Sequence, residues 1–191
     1  MPRENGEQPK RGIRILGIDD SPFTKRDRRV LVVGVVWREK NPVEAVLSTY
    51  VQRDGSDSTK KVLEMVTRSR FRHEIKFVLI NSIMLAGFNV VDIDRLCKEL
   101  GVPVVAVVRR RPSMADVFKA VKLVSGWRRK VELIRKAGEV KEVAGLHVQM
   151  AGITSERAEK ILRRFRGIPE PIRLAHVIAS GIVRGESRGR A

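Results

Sequence analysis

The sequence has few of the residues that mark secreted domains or base-stacking proteins. It contains a single cysteine, Cys97, among 191 residues, so no disulfide can form within the chain and a disulfide-stapled secreted domain is excluded. The segment around Cys97 has a helical pattern, and we expect this thiol to be a small buried side chain rather than a reactive group. Aromatic residues make up only 5% of the chain, which argues against a surface that stacks the bases of single strands.

Long apolar runs are also missing. No stretch approaches the roughly 18–20 apolar residues that cross a membrane, and the N-terminal sequence MPRENGEQPKRG lacks the apolar centre of a signal peptide. We therefore expect a cytoplasmic protein with no membrane partner. Apolar residues nevertheless make up 42% of the chain, which is enough for a globular domain with a core.

Acidic residues are outnumbered, so the chain has a formal net charge of +17 and a pI near 11.0. The excess is uneven: residues 1–100 carry 19 basic and 14 acidic side chains, whereas residues 101–191 carry 20 and 8. A field of this sign attracts polyanions with little regard to their sequence. Nucleic acid, either DNA or RNA, is therefore the expected partner.

The apolar patterns predict strands first and an alternation of helices and strands afterwards. Three strands are expected at residues 13–18, 28–37 and 42–52, and the second is too continuously apolar to be exposed. Buried strands at 75–80 and 102–108 then alternate with helices. The expected later elements are a helix over 114–136 broken at Ser125-Gly126, a short strand in GLHVQMAG, and two C-terminal helices.

This order predicts an α/β fold with a mixed sheet, in which three antiparallel strands precede alternating αβ units and helices cover both faces. The order βββαβα is that of the ribonuclease H-like fold. We expect a single domain over residues 12–184, with a flexible tail at 1–11 and a basic tail at 185–191.

Acidic and amide side chains follow the predicted strands, where binding sites form in α/β sheets. Asp19 and Asp20 follow the first strand, Asp54 and Asp57 the third, and Asn81 the fourth. Carboxylates that converge there would hold Mg²⁺ or Mn²⁺, which stabilises charge on a phosphodiester and activates water. Alternatively, the sequence DDSP is only a turn and a cap.

Arginines and histidines are the other candidates. Arg109, Arg110 and Arg111 follow the fifth strand, where they could contact a phosphate backbone; alternatively, the run is a solvated edge. The three histidines are far apart in sequence and share no metal-ligand spacing. His176, in the last predicted helix, is expected to be a packed or capping histidine.

Four stretches in the same order resemble an archaeal family of unknown function. They are LGIDDSPF, INSIMLAGFNVVDI, LGVPVVAVVRRRP and GIPEPIRLAHVIASGI, and the similarity covers about residues 12–184. That family, domain of unknown function ninety-nine, is a distant relative of endonuclease V, a Mg²⁺-dependent nuclease that cuts near deaminated purines such as inosine. The resemblance implies a ribonuclease H-like fold and an endonuclease V-like activity.

The resemblance assigns site residues position by position. The motif Gly17-Ile18-Asp19 matches the first strand of endonuclease V, which makes Asp19 the central metal ligand. Asp54 or Asp57 lies near the place of the glutamate after the third strand, and Asn81 stands where endonuclease V has an aspartate. Because an amide oxygen brings no charge, this replacement predicts a weakened metal site.

Other positions depart further from endonuclease V. Arg109 takes the place of a lysine and keeps the positive charge in a planar group. The late histidine or aspartate of endonuclease V falls at about Gly152 or Ile153, which can neither bind a metal nor move a proton. The stretch PEPIRLAH is expected to be mainly structural, with Pro169 and Pro171 fixing the approach to the last helix.

Three functions follow from these observations. The first is a divalent-metal-dependent nuclease of the endonuclease V type, weakened or altered, with Asp19 and Arg109 as catalytic residues. The second is a non-catalytic nucleic-acid-binding protein on the same fold, favoured by the basic second half and the replaced ligands. The third is a protein-interaction or ribosome-associated module.

Overall fold

A seven-stranded sheet forms the middle of the molecule. The computed structural model describes residues 12–187 of the chain. The strands within these residues, in chain order, are β1 (Arg14–Asp20), β2 (Arg29–Arg38), β3 (Asn41–Gln52), β4 (Ile75–Asn81), β5 (Met84–Leu85), β6 (Asn89–Val90), β7 (Val104–Val108), β8 (Lys141–Val143) and β9 (Leu146–Ala151). β5 and β6 form a separate two-stranded hairpin, and the other strands form the main sheet.

The sheet is mixed, and its order is β3-β2-β1-β4-β7-β9-β8. β1, β4 and β7 run parallel to one another, whereas β2, β3 and β9 pair antiparallel with their neighbours. β1, β4 and β7 therefore end at the same edge of the sheet, at Asp20, Asn81 and Val108. We call this edge the carboxyl edge; β2 begins there and β3 ends there.

Helices cover both faces of the sheet. They are α1 (Ser58–Thr67), α2 (Ile93–Leu100), α3 (Met114–Val121), α4 (Trp127–Lys136), α5 (Ser155–Leu162) and α6 (Glu170–Arg184). Side chains of α1 to α4 join one apolar core, and side chains of α5 and α6 join a second core on the opposite face. The sheet thus separates two cores, each closed by its own set of helices.

Alternation along β1 decides which face each of its residues meets. Ile15 packs in the core under α5 and α6, whereas Leu16 and Ile18 pack in the core under α1 to α4. Because successive side chains of a strand point to opposite faces, Asp19 is on the α6 face and Asp20 is on the other. The two adjacent acids therefore leave β1 on different faces, but both lie at its last residues, where their carboxylates still interact.

Most of the predicted order is confirmed. Three antiparallel strands come first, strands and helices then alternate, and the break at Ser125-Gly126 separates α3 from α4. Gly126 has a φ of +69°, a conformation that glycine adopts without strain. The sequence does not predict β5, β6 or β8, because strands of two or three residues are too short to show a period.

The predicted tails fall mostly outside the described residues, which exclude 1–11 and 188–191. Cys97 is half-buried in α2, and burial raises the pKa of its thiol. None of the helices within residues 12–187 combines the length and hydropathy needed to cross a membrane.

Candidate functional site

Asp19 lies at the carboxyl edge with its side chain almost fully buried, at 1% exposure. Its Oδ1 accepts hydrogen bonds from Asn81 Nδ2 at 3.0 Å and from the backbone N–H of Asp20 at 2.9 Å. Its Oδ2 lies 3.0 Å from Nδ1 of His176. Both carboxylate oxygens are therefore held in fixed directions, as a buried charge requires.

The pairing of β1 with β4 brings Asn81 to Asp19. Ile18 of β1 pairs with Ile80 of the parallel strand β4, so the next residues, Asp19 and Asn81, are neighbours on one face. This placement agrees with the sequence prediction that residues at the ends of these two strands converge.

The last helix reaches Asp19 through a glycine. A Cβ added at Gly17 would lie 2.2 Å from the carbonyl carbon of Pro171, so α6 can approach β1 this closely only because Gly17 has no side chain. From Gly17 to Asp19, β1 advances about 6.8 Å. From Pro171 to His176, α6 advances about 7.5 Å. The helix and the strand run in the same direction here, so His176 arrives beside Asp19.

The contact with Asp19 changes the titration of His176. The hydrogen bond to the Asp19 carboxylate raises the pKa of His176, and burial of the ring opposes this shift only in part. The protonated imidazole can donate its Nδ1–H to Asp19 Oδ2 and hold a positive charge beside it. His176 is half-buried, as expected of a packed histidine, and it forms in addition a contact with Asp19 that the sequence does not predict.

The second acid of the pair sits in a different environment. Asp20 Oδ2 accepts a hydrogen bond from the backbone N–H of Ala86 at 2.5 Å. The pKa of Asp20 is raised to about 7, first by burial and then by the charge of Asp19. A second negative charge is therefore costly at this place, and a bound cation would remove that cost.

Asp54 contacts the same segment around Ala86 as Asp20 does, but its carboxylate bonds to a different residue. It follows β3 with a φ of +52°, and its Oδ1 accepts a hydrogen bond from the backbone N–H of Phe88 at 2.9 Å. Its own backbone N–H donates to the carbonyl oxygen of Ala86 at 2.8 Å. Asp20 and Asp54 thus bond to the same peptide segment, and the Asp54 carboxylate orders the turn between β5 and β6.

Asp57 is used within its own loop. Its Oδ1 accepts hydrogen bonds from the backbone N–H of Gln52 at 3.1 Å and from Asn89 Nδ2 at 2.6 Å. Within residues 12–187, no three His, Cys, Asp or Glu side chains are grouped so that they could hold a metal ion. The expected grouping of Asp54 or Asp57 with Asp19 as metal ligands is therefore not seen here, and the carboxylates that interact are those of Asp19 and Asp20.

Lys130 of α4, which the sequence analysis does not single out, ties these loops together. It is 2% exposed, and its Nζ donates to the carbonyl oxygens of Asp54 at 2.7 Å, Phe88 at 2.9 Å and Gly55. Burial lowers the pKa of this ammonium group. Three carbonyl acceptors on two loops explain why a lysine is tolerated inside the molecule.

The arginine run lies where the sequence predicts it. Arg109, Arg110 and Arg111 are exposed on the loop after β7, at the carboxyl edge and separated from β1 by the single strand β4. Gly152 and Ile153, in contrast, follow β9, and Ala151 pairs with Val104 at the start of β7. The expected counterpart of the late endonuclease V residue is therefore at the opposite edge of the sheet, and His176 is the histidine that meets Asp19.

The donor set at Asp19 fits a hard divalent cation. Asp19 and Asp20 offer carboxylate oxygens and Asn81 offers an amide oxygen, whereas Nδ1 of His176 is engaged by Asp19. Mg²⁺ and Mn²⁺ prefer oxygen-rich sets of this kind. Burial and, after it, the charge of Asp19 raise the pKa of Asp20, and a cation bound between the two carboxylates would oppose both effects.

Sequence comparison identifies relatives along nearly the whole chain. The sequence model of a family described as Endonuclease dU matches residues 11–183. A UPF0215 protein of Methanothermobacter thermautotrophicus is 42% identical over 199 residues, covering 100% of this chain and 98% of the relative. A UPF0215 protein of Archaeoglobus fulgidus is 41% identical and covers 93% of this chain and 98% of the relative.

Solved structures share the fold. The crystal structure of an Archaeoglobus fulgidus protein of unknown function has a TM-score of 0.85 at 39% identity, covering 91% of this chain and 99% of that one. The catalytic domain of human endonuclease V has a TM-score of 0.57 at 16% identity, covering 91% and 83%. Ciona intestinalis endonuclease V, in complex with a 24mer DNA containing an inosine followed by a ribo-adenosine, has a TM-score of 0.54 at 14% identity, covering 86% and 83%.

The expected relation to endonuclease V is confirmed at the level of the fold, which in that family is ribonuclease H-like. The expected archaeal relatives are confirmed as well. That this archaeal family is domain of unknown function ninety-nine stays a prediction.

Proposed function

We propose that this chain, which belongs to the endonuclease dU family, is a divalent-metal-dependent endonuclease that hydrolyses phosphodiester bonds of nucleic acid. The observation that carries the proposal is the buried Asp19 carboxylate, held between Asn81 and His176 at the carboxyl edge. In a mixed α/β sheet this is the edge at which ligands bind. The chain's net charge of +17 favours a polyanionic substrate.

The substrate we propose is a strand that carries a deaminated base. The matching family is described as Endonuclease dU, and the Ciona endonuclease V structure holds DNA that contains inosine. Both names point to deaminated bases, with deoxyuridine as the first candidate and inosine as the second. The ribonuclease H-like architecture supports the assignment as a fold and does not choose between the two bases.

The roles of the residues follow from their contacts. Asp19 and Asp20, with the amide oxygen of Asn81, would hold the divalent cation, which when bound supplies positive charge for the phosphate and lowers the pKa of water. His176 donates its Nδ1–H to Asp19 and so fixes the direction of that carboxylate. Arg109, on the loop after β7, would neutralise the charge of the strand near the bond that is cut.

The direct test is a cleavage assay with the full chain. Labelled single- and double-stranded oligonucleotides, unmodified or with one deoxyuridine or inosine, are incubated with Mg²⁺, Mn²⁺ or EDTA. We expect cleavage of the modified strands with metal and none with EDTA. The Asp19→Asn variant should bind the strands and not cut them.

Asp116→Asn provides the matched control, because it removes one carboxylate charge from the exposed first turn of α3. It should cut as the wild type does. Cleavage that survives in Asp19→Asn or in EDTA would show that the assignment of Asp19 as a metal ligand is wrong.

A second candidate is a non-catalytic nucleic-acid-binding protein on the same fold. It is favoured by Asn81, which stands where a charged ligand is expected, and by Asp54, whose carboxylate is engaged by the N–H of Phe88. The same assay separates the two functions. Binding of every strand without cleavage under any metal condition would establish the second.

A further inference from the structure

A basic groove lies at the carboxyl edge on the side of β2 and β3. It is lined by Arg28, Arg29, Tyr50, Arg53 and Lys61. We use the name basic groove for these residues. The groove opens beside the loop that follows Asp19 and Asp20 in the chain.

The register of the sheet places two residues of the basic groove, Tyr50 and Arg29, on the same face as Asp19. Asp19 pairs with Val33 of β2, and Leu31 of β2 pairs with Tyr50 of β3. Paired residues and residues two apart share one face of a sheet, so Tyr50 and Arg29 are on the face that carries Asp19. With about 3.4 Å per residue and about 4.8 Å per strand, Tyr50 and Arg29 lie roughly 12–14 Å from Asp19 along the sheet.

Among the residues that the structure describes, two of the four cations of the basic groove form ion pairs, Arg53 with Asp54 and Lys61 with Glu64, and the other two do not. Arg28 and Arg29 are exposed and form no ion pair within residues 12–187. The acid that lines the groove, Asp57, is engaged by the N–H of Gln52 and by Asn89. Positive charge therefore exceeds negative charge along this surface, which suits a chain of phosphates.

Two exposed aromatic rings lie at the carboxyl edge. Among the aromatic side chains of residues 12–187, only Phe23 and Tyr50 are exposed, at 39% and 47%. Phe23 is in the loop between β1 and β2, and Tyr50 lines the basic groove with the guanidinium of Arg29 5.1 Å from its ring centre. Although the chain has few aromatic residues, an exposed ring is thus present in the basic groove.

We propose that the basic groove binds an unpaired segment of nucleic acid, with a base stacked on Tyr50 and phosphates on Arg28 and Arg29. Cations alone would serve a duplex equally well, because a duplex offers its phosphates outward. An exposed ring gains a stacking partner only where bases are unpaired, since base faces inside a duplex are already covered. The groove would hold the strand a few nucleotides from the bond that is cut. Its role in cleavage rests on the proposed function, whereas its binding does not.

The test measures binding in EDTA, so that cleavage cannot interfere. A fluorescein-labelled, unmodified single-stranded oligonucleotide and its duplex are titrated with the full chain at 50 to 200 mM salt, and anisotropy is recorded. Tyr50→Ala should weaken single-strand binding by about 10-fold, within the range known for loss of one base stack, and leave duplex binding unchanged. Tyr50→Phe keeps the ring and should bind as the wild type does.

Charge is tested separately with the double variant Arg28→Ala/Arg29→Ala. Two lost phosphate contacts should reduce the slope of log affinity against log salt by about 1.4 for the single strand. Arg157→Ala is the control, because Arg157 is exposed on α5 at the opposite edge of the sheet. It should change neither affinity nor slope by more than the error.

The outcomes separate this proposal from the nuclease proposal. Equal single-strand binding by Tyr50→Ala and wild type, or an equal loss on single strand and duplex, would overturn the groove assignment whatever the cleavage assay shows. Selective loss of single-strand binding, with no cleavage under any metal condition, would uphold the groove and leave the protein a binding protein.

Discussion

Gly17 offers the sharpest perturbation of the site, because one added methyl group meets backbone that cannot move aside. A Cβ at this position would lie 2.2 Å from the carbonyl carbon and 2.4 Å from the carbonyl oxygen of Pro171. Both atoms belong to the first turn of α6. In Gly17→Ala, α6 must therefore shift away from β1, and His176 must shift away from Asp19.

The expected loss of stability follows from the contact distances. Extra methylenes forced into a packed interior cost about 1–3 kcal/mol, and contact with backbone atoms puts Gly17→Ala at the upper end, about 3 kcal/mol. For a domain of this size a loss of 1 kcal/mol lowers Tm by about 2–4 °C. We therefore expect Tm to fall by roughly 6–12 °C.

Gly34→Ala is the matched control. Gly34 is on the neighbouring strand β2, and its added Cβ would meet the tips of two flexible side chains, Leu16 Cδ1 and Met65 Cε, both at 3.1 Å. These tips can give by a few tenths of an ångström, so the loss should stay below about 1 kcal/mol. Both variants change a strand glycine to alanine, so a difference in their loss of stability reflects the atoms that the added Cβ meets.

The assay combines thermal unfolding, followed by circular dichroism, with an NMR titration of His176. In Gly17→Ala the pKa of His176 should fall toward its ordinary value, because the hydrogen bond to Asp19 that raises it is weakened. Equal Tm values for the two glycine variants would refute the packing argument. An unchanged His176 titration in a destabilised Gly17→Ala would refute the claim that this contact positions the imidazole.

Three further predictions test other parts of the structure. Lys130→Met should lower the free energy of unfolding by about 3 kcal/mol in urea titrations, because it leaves buried carbonyl oxygens on two loops without a donor; a loss under about 1 kcal/mol would mean that these loops do not depend on the ammonium group. His176→Ala should reduce metal-dependent cleavage by about 10- to 100-fold with little change in strand binding, and unchanged cleavage would remove His176 from the site. Burial would raise the pKa of Asp92, but the hydrogen bond from Lys136 outweighs it, so the pKa in the folded protein is lowered. The pair therefore stabilises the fold above the unfolded-state pKa of Asp92, and this stability is lost as pH falls through the folded-state pKa. Lys136→Met should therefore show a smaller loss of stability between neutral pH and pH 3 than the wild type, and parallel curves would contradict the linkage.

Strand-level features could be predicted from the sequence because they depend on local pattern. The apolar runs at β2, β4 and β7 are buried strands, and the residues at their ends, Asn81 and the arginines after Val108, reach the carboxyl edge as expected. The convergence of Asp19 and Asn81 follows from parallel pairing of β1 and β4, which an alternation of strands and helices predicts.

Contacts across long stretches of chain could not be predicted in the same way. His176 is 157 positions from Asp19, and a histidine on a partly apolar helix face gives no sign of which strand it will meet. Asp54 and Asp57 are close to the site in sequence order, but hydrogen bonds from nearby backbone and from Asn89 use their carboxylates in the loops. The low aromatic content likewise does not show that one of the few rings, Tyr50, is exposed in the basic groove.

The close approach of α6 to Gly17 has a consequence for synthesis of the protein. The first strand leaves the ribosome long before the last helix, so a nascent chain halted before residue 170 carries Asp19 without its imidazole. Only a finished chain can complete the pocket. The surroundings of Asp19 are therefore assembled late in synthesis, after all the strands of the main sheet.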